Sequence, residues 1–88
     1  MYQRTLTVKN QLGFHARAAA LFVQLANRFD AEVTVCKDNL ETNGKSIMGL
    51  LTLAASKGTE VCIKAQGPEA EEALEALTDL VNRGFDED

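Results

Sequence analysis

The sequence is poor in the residues that bind metals, since its 88 residues include one histidine and two cysteines. Cys36 and Cys62 lie far apart in sequence and outside any Cys-x-x-Cys spacing. A four-ligand zinc site cannot be completed from these residues without carboxylates, so we expect no metal and no cofactor. We expect both cysteines to be free thiols in a reducing compartment.

Long apolar runs and an excess of positive charge are also missing. No stretch approaches the roughly 20 apolar residues of a transmembrane helix. We expect no signal peptide, because the sequence turns polar and alternating at Met1–Arg4. A net charge of −4 argues against nucleic acid as a partner. We therefore expect a cytoplasmic protein that neither inserts into membranes nor binds nucleic acid.

The length and composition predict one small globular domain over residues 1–88, because the apolar content is 45% and the charged content 25%. Alternation of apolar residues predicts strands, and a period near 3.6 predicts helices. The predicted strands are Tyr2–Val8, Ala31–Lys37, Leu40–Thr42 and Thr59–Ala65, and the predicted helices are Ala16–Phe29, Ile47–Leu53 and a last helix from Gly67-Pro68-Glu69 to a stop at Gly84. This order, βαββαβα, predicts an α+β fold with helices packed on one face of an antiparallel sheet.

Three local features of the helices and the tail are also predicted. Pro68 suits the first position of the last helix. In the short helix, we expect Ile47, Leu50, Leu53 and Ala54 to face the core. The acidic tail Asp86-Glu87-Asp88 is expected to be frayed.

The histidine, His15, directly precedes the first predicted helix. The N–H groups of a first helical turn lack intrahelical partners, and the helix dipole is positive there. This environment disfavours imidazolium, so we expect a neutral ring that can act as a nucleophile. Arg17 follows in the same turn as a planar cationic fork. Together they favour phosphate as the ligand, although either residue alone is more often a plain surface residue.

Ser46 precedes the short helix, where a serine hydroxyl caps the first turn. A phosphate on this serine would also be tolerated by the open N–H groups. From the residues alone, capping is the favoured role.

Apolar residues on the helices exceed the need of the expected core. Met48 and Leu51 fall on a second face of the short helix, and Leu21 projects beside Arg17. Two interpretations are open: an exposed docking surface beside the histidine, or a core wider than the helical wheel implies.

The segments Leu12-Gly13-Phe14-His15-Ala16-Arg17 and Asn43-Gly44-Lys45-Ser46-Ile47-Met48-Gly49 resemble the two signatures of the HPr family, histidine phosphocarriers of the bacterial phosphoenolpyruvate-dependent phosphotransferase system. The resemblance covers nearly the whole chain. The layout alone also fits unrelated small α+β ligand-binding domains, so these segments carry the assignment. The family fold is an open-faced β-sandwich, with four strands and three helices on one side.

The resemblance implies roles for individual residues. His15 would accept phosphate through Nδ1 from Enzyme I and pass it to an EIIA-type acceptor, and Arg17 would stabilise the phosphorylated state. The chain would be a carrier without turnover of its own, and we expect a monomer. Ser46 would match the serine modified by an HPr kinase/phosphorylase in bacteria that have one. We expect the partner surface to comprise Ala16, Ala20, Leu21, Gln24, Ile47, Met48 and Leu51.

The branch of the system, the function and the role of the two cysteines stay open at the level of sequence. Ala18 stands where many sugar-branch carriers have proline, and this resembles NPr of the nitrogen-related branch, so either branch fits. A regulatory binding module, acting through Ser46 phosphorylation and the apolar surface, is the alternative function. The family's strand order would bring Cys36 and Cys62 together on the open sheet face, where we predict no disulfide.

Overall fold

The structure, a computed structural model, describes residues 1–87. Its strands are β1 (Tyr2–Thr7), β2 (Glu32–Lys37), β3 (Leu40–Asn43) and β4 (Glu60–Gln66), and its helices are α1 (Ala16–Ala26), α2 (Ile47–Leu53) and α3 (Ala70–Asn82). A short 3₁₀ turn, Gly84–Asp86, follows α3. The predicted order of elements is confirmed.

The four strands form one antiparallel sheet in the order β1-β4-β2-β3. Alternate residues of β2 and β4, among them Val35 and Ile63, are fully buried, as strand periodicity predicts. The helices pack on this face: α3 contacts β1 and β4, α2 contacts β3, and α1 contacts the other two helices. The predicted α+β architecture, an open-faced sandwich, is therefore confirmed.

The core lies between the sheet and the helices, and its largest fully buried side chains include Phe22, Phe85, Leu50 and Leu77. The apolar stripe of α3 is buried throughout, as its helical spacing predicts. Within residues 1–87, no helix is both long and apolar enough to span a bilayer.

Two predicted helix boundaries are wrong. The first helix ends at Ala26 rather than Phe29, because Arg28 and Phe29 donate to carbonyls three residues back and close a tighter turn. Phe29 still packs against the core, which is why it extended the apolar stripe. Pro68 lies before α3 rather than at its first position, since Glu69 is the residue that precedes the helix at Ala70.

The core face of α2 is also partly mispredicted. Leu50 and Leu53 are buried as expected, but Ile47 is 41% exposed and Ala54 is exposed. The half-buried Leu51 packs against the core in their place. The buried side of this seven-residue helix is thus formed by Leu50 and Leu53, with Leu51 at its edge. Ile47 therefore lies exposed at the end of the helix that Ser46 caps.

Candidate functional site

The loop before α1 is fixed by a buried aromatic residue. Phe14 is 4% exposed, and its ring meets Phe22 and Phe85 edge to face at centroid distances of 5.7 and 5.2 Å. Its N–H donates to the carbonyl of Ala55 at 2.9 Å. Two ring contacts and one backbone hydrogen bond therefore fix the backbone that leads into His15.

Gly13 makes this approach possible. Its φ of +64° lies in the left-handed region, and a Cβ at this position would be 2.3 Å from the Ala55 carbonyl oxygen. Only glycine fits so close to that backbone.

His15 occupies the position that precedes α1, with the extended φ and ψ (−78° and 179°) typical of a helix cap. Its carbonyl accepts from the N–H of Ala19 at 2.9 Å. Its side chain does not cap the helix, which leaves the N–H groups of the first turn for another acceptor. The imidazole itself is 27% exposed. The predicted placement of this histidine at a helix start is confirmed.

Arg17 is exposed in the same first turn as His15. Within residues 1–87, its guanidinium takes part in no ion pair. It therefore remains available to an anion bound at the helix start.

The prediction of a frayed acidic tail is wrong at Asp86 and Glu87, and Asp88 lies outside the described residues. Asp86 pairs with Arg83. The carboxylate of Glu87 meets His15 Nε2 through Oε2 and accepts from Asn10 Nδ2 through Oε1, the latter at 3.0 Å. The tail thus brings an acidic side chain to the imidazole, which the sequence analysis missed.

The electrostatics of Glu87 follow from these contacts. Hydrogen bonds from Asn10 and then from His15 hold the pKa of the Glu87 carboxyl below its ordinary value, and the charge of Arg17 adds to the effect. Glu87 is therefore ionised near neutral pH and places a negative charge beside the ring. This charge is opposite in sign to the positive end of the helix dipole.

Ser46 caps α2, as predicted: its Oγ accepts from the N–H of Gly49 at 3.0 Å. Gly49 is needed here because a Cβ would lie 1.8 Å from Thr42 Oγ1 on β3. The half-buried Ser46 is thus tied through its hydroxyl to the first turn of α2.

Replacing Ser46 with alanine should lower the free energy of unfolding by about 1 kcal/mol, since the Gly49 N–H loses its acceptor. Thermal unfolding should shift down by about 4–8 °C. Ser56→Ala is the control, because its hydroxyl makes only an exposed contact with Thr59. An equal shift for both variants would argue against the cap.

The apolar residues in excess of the expected core fall into two groups: one fits an exposed docking surface, and the other fits a wider core. Met48 is 73% exposed, whereas Leu21 and Leu51 are half-buried and pack against the core. Leu12, in the loop before His15, is 67% exposed and was missed by the sequence analysis. Its position three residues before the histidine was the available signal. Exposed apolar side chains therefore lie in the loop before α1 and at the start of α2.

Cys36 and Cys62 are direct cross-strand partners on β2 and β4, as the resemblance implied, and both are free thiols. The Cys36 thiol donates to Glu41, which also accepts from Lys64. Burial, followed by the bond to Glu41, raises the pKa of the Cys36 thiol, so its thiolate fraction falls. This chemistry does not favour Cys36 as a nucleophile.

Comparison with known proteins agrees with this geometry. The PTS-HPr family, described as "PTS HPr component phosphorylation site", matches residues 2–83. The phosphocarrier protein HPr of Neisseria meningitidis is 47% identical over 87 residues, covering 99% of this chain and 98% of that protein. The HPr-like protein Crh of Bacillus subtilis is 52% identical over 81 residues, covering 92% and 95%.

A solved structure extends the likeness to the fold. The crystal structure of HPr-C-His from Thermoanaerobacter tengcongensis superposes with a TM-score of 0.96 at 46% identity, covering 100% of this chain and 99% of that one. The family match covers nearly the whole chain, and close relatives have the same length and fold. These findings exclude an unrelated ligand-binding domain. The chain belongs to the HPr family, the phosphocarrier proteins of the phosphotransferase system.

Proposed function

We propose that His15 accepts a phosphoryl group from phospho-Enzyme I and passes it to an EIIA-type protein. The observation that carries this proposal is the half-buried imidazole at a helix start whose first-turn N–H groups its own side chain leaves open. A phosphoryl group on this ring would meet backbone donors and the positive end of the helix dipole. Arg17, free of ion pairs within residues 1–87, would add a charged donor.

In this mechanism, His15 supplies the nucleophile and the helix start holds the product. The lone pair of Nδ1 forms a bond to phosphorus while the bond between phosphorus and the donor breaks, its electron pair leaving with the donor. Transfer to the acceptor reverses these roles. Positioning and charge stabilisation supply most of the catalysis of phosphoryl transfer, and the partner enzymes would provide much of both.

The test is incubation of the chain with phosphoenolpyruvate and Enzyme I. We expect a mass gain of one phosphate that is lost in acid, as a phosphoramidate is, and that an EIIA-type protein removes. Parallel assays with sugar-type and nitrogen-type acceptors would assign the branch. Lack of uptake by folded protein would refute the carrier role.

We propose that partners dock on Ala16, Ala20, Leu21, Gln24, Ile47, Met48 and Leu51. The surface that supports this proposal is the exposed start of α2, with Ile47 and Met48, on a helix that contacts α1. Exposed apolar side chains favour docking of a protein. Because Leu21 and Leu51 are half-buried, we expect them to offer less contact surface to a partner.

Met48→Asp should therefore weaken transfer from Enzyme I about tenfold, through a higher KM, because a carboxylate would be buried in the complex. The unfolding free energy should stay the same, since Met48 is 73% exposed. Leu40→Asp is the matched control, placing the same charge on another exposed apolar residue, in the β2–β3 hairpin. If both variants raise the KM equally, the docking surface lies elsewhere.

A second role, regulation by an ATP-dependent HPr kinase/phosphorylase at Ser46, follows from the family resemblance. The neighbouring apolar start of α2 supports it, because a phosphate on Ser46 would place negative charge beside Met48 and weaken apolar docking. Ser46→Asp is expected to reduce binding to Enzyme I. Equal binding by this variant and the parent would count against regulation at this serine.

We also propose that residues 1–88 act as one domain, as a monomer, in the cytoplasm, where phosphoenolpyruvate is available. Similar solved structures include an HPr dimer from Thermoanaerobacter tengcongensis and a swapped dimer of Crh from Bacillus subtilis. Light scattering over a concentration series tests the monomer, and a mass of twice one chain would contradict it.

A further inference from the structure

The segment after α3 folds back over the loop that carries His15. Phe85 is 2% exposed and packs edge to face on Phe14, the residue before the histidine. Phe85 and Asp86 both have positive φ values, 56° and 62°, which are unfavourable for residues with side chains. Burial of the Phe85 ring thus holds the tail in a strained path that ends beside the imidazole.

Asn10 ties this tail to the loop. Its Nδ2 donates to the carbonyl of Gly13 at 2.7 Å and to Glu87 Oε1 at 3.0 Å. Both partners are acceptors, so they fix the orientation of the amide. The other end of the amide, Oδ1, is buried without a partner among residues 1–87, although Asn10 is only 5% exposed. The amide is therefore held through Nδ2, by the Gly13 carbonyl and by Glu87.

The second oxygen of Glu87 meets His15 Nε2. An ionised carboxylate only accepts hydrogen bonds, so Nε2 must carry the proton in this contact. In a neutral imidazole, the lone pair then lies on the other nitrogen, Nδ1. Glu87 supplies the negative charge in this contact, and the charge of Arg17 from α1 also acts on the Glu87 carboxylate.

We propose that Glu87, held by Asn10, is a positioning residue that keeps the proton of His15 on Nε2 and stabilises the phosphorylated ring. This inference rests on the proposed phosphoryl acceptance by His15. When Nδ1 bonds to phosphorus, Nε2 keeps its proton and the ring gains one positive charge. The Glu87 carboxylate compensates that charge, and the ring becomes neutral again when the nitrogen–phosphorus bond breaks and its electron pair returns to Nδ1.

Glu87→Gln tests the charge, because glutamine keeps the length and an acceptor but not the ionised group. In the phosphorylated protein, followed by ³¹P NMR against pH, the Nε2 proton should be lost about one pH unit lower in Glu87→Gln than in the parent. Asp86→Asn is the matched control: it removes the same charge one residue earlier, where the carboxylate pairs with Arg83. A role of Glu87 in tail folding alone would not move this midpoint.

Two outcomes overturn the inference. One is a Glu87→Gln midpoint equal to that of the parent. The other is seen before any phosphorylation: ¹⁵N NMR of the neutral ring in the parent should place the proton on Nε2, and a proton on Nδ1 would contradict the role of Glu87 even if transfer succeeds. If the parent takes up no phosphate while the ring carries its proton on Nε2, the carrier proposal fails and the positioning contact stands.

Discussion

His15→Asn should abolish phosphoryl uptake from phosphoenolpyruvate and Enzyme I while leaving the fold intact. An amide nitrogen is not a nucleophile toward phosphorus, whereas asparagine is among the best residues at the position before a helix. The backbone there already has an extended conformation. We therefore expect a change in unfolding free energy within about 1 kcal/mol.

Mass spectrometry after the reaction measures this loss, and circular dichroism on heating measures the fold. Thr7→Asn provides the matched control, because Thr7 is exposed at the end of β1 and pairs with Glu60, away from the helices. The control should take up one phosphate as the parent does. Equal uptake by His15→Asn would show that another residue is the acceptor.

Gly13→Ala should have the largest effect on stability, lowering the unfolding free energy by about 2–5 kcal/mol. Forcing alanine into the left-handed region costs about 1–2 kcal/mol, and overpacking adds about 1–3 kcal/mol. The clash is with the Ala55 carbonyl oxygen, 2.3 Å from the added Cβ, and the same oxygen accepts from the N–H of Phe14. Phosphoryl transfer should fall as well, since the backbone at His15 would shift.

Gly58→Ala separates the two causes. Gly58 also has a positive φ, +89°, but a Cβ there would have no heavy atom within 4 Å. Denaturant unfolding should therefore show only the conformational cost, about 1–2 kcal/mol. If Gly13→Ala proves no worse than Gly58→Ala, the close approach of Gly13 to Ala55 does not constrain the loop.

The features that could be predicted, the strands, the helices and the helix starts, are those that local sequence determines. Periodicity of apolar residues located most strands and helices, because one face of each packs on the core. The strand β3, which has no buried residue, was predicted from the turn before it. The helix starts at His15 and Ser46 were also readable, since both depend on residues within a few positions. Errors at Phe29 and Pro68 concern helix ends, where a half-buried aromatic ring or a preceding proline shifts the boundary by a few residues.

The contacts that sequence reasoning missed are long-range. Glu87 reaches His15 across 72 positions, through a tail with positive φ at Phe85 and Asp86. The acidic composition of the tail predicted fraying. The contact that anchors the segment, between Phe85 and Phe14, is tertiary and cannot be inferred from composition. The packing of Leu51 rather than Ile47 against the core is likewise a consequence of packing in three dimensions.

The atom that carries the transferred phosphate shows whether His15 is the acceptor. The chain, labelled with ¹⁵N in its histidine and phosphorylated by Enzyme I, would be studied by NMR for coupling between phosphorus and a ring nitrogen. We expect one phosphate, bonded to Nδ1 of His15, with the proton of the ring on Nε2. A phosphate on Nε2, or on any other residue, would contradict this expectation.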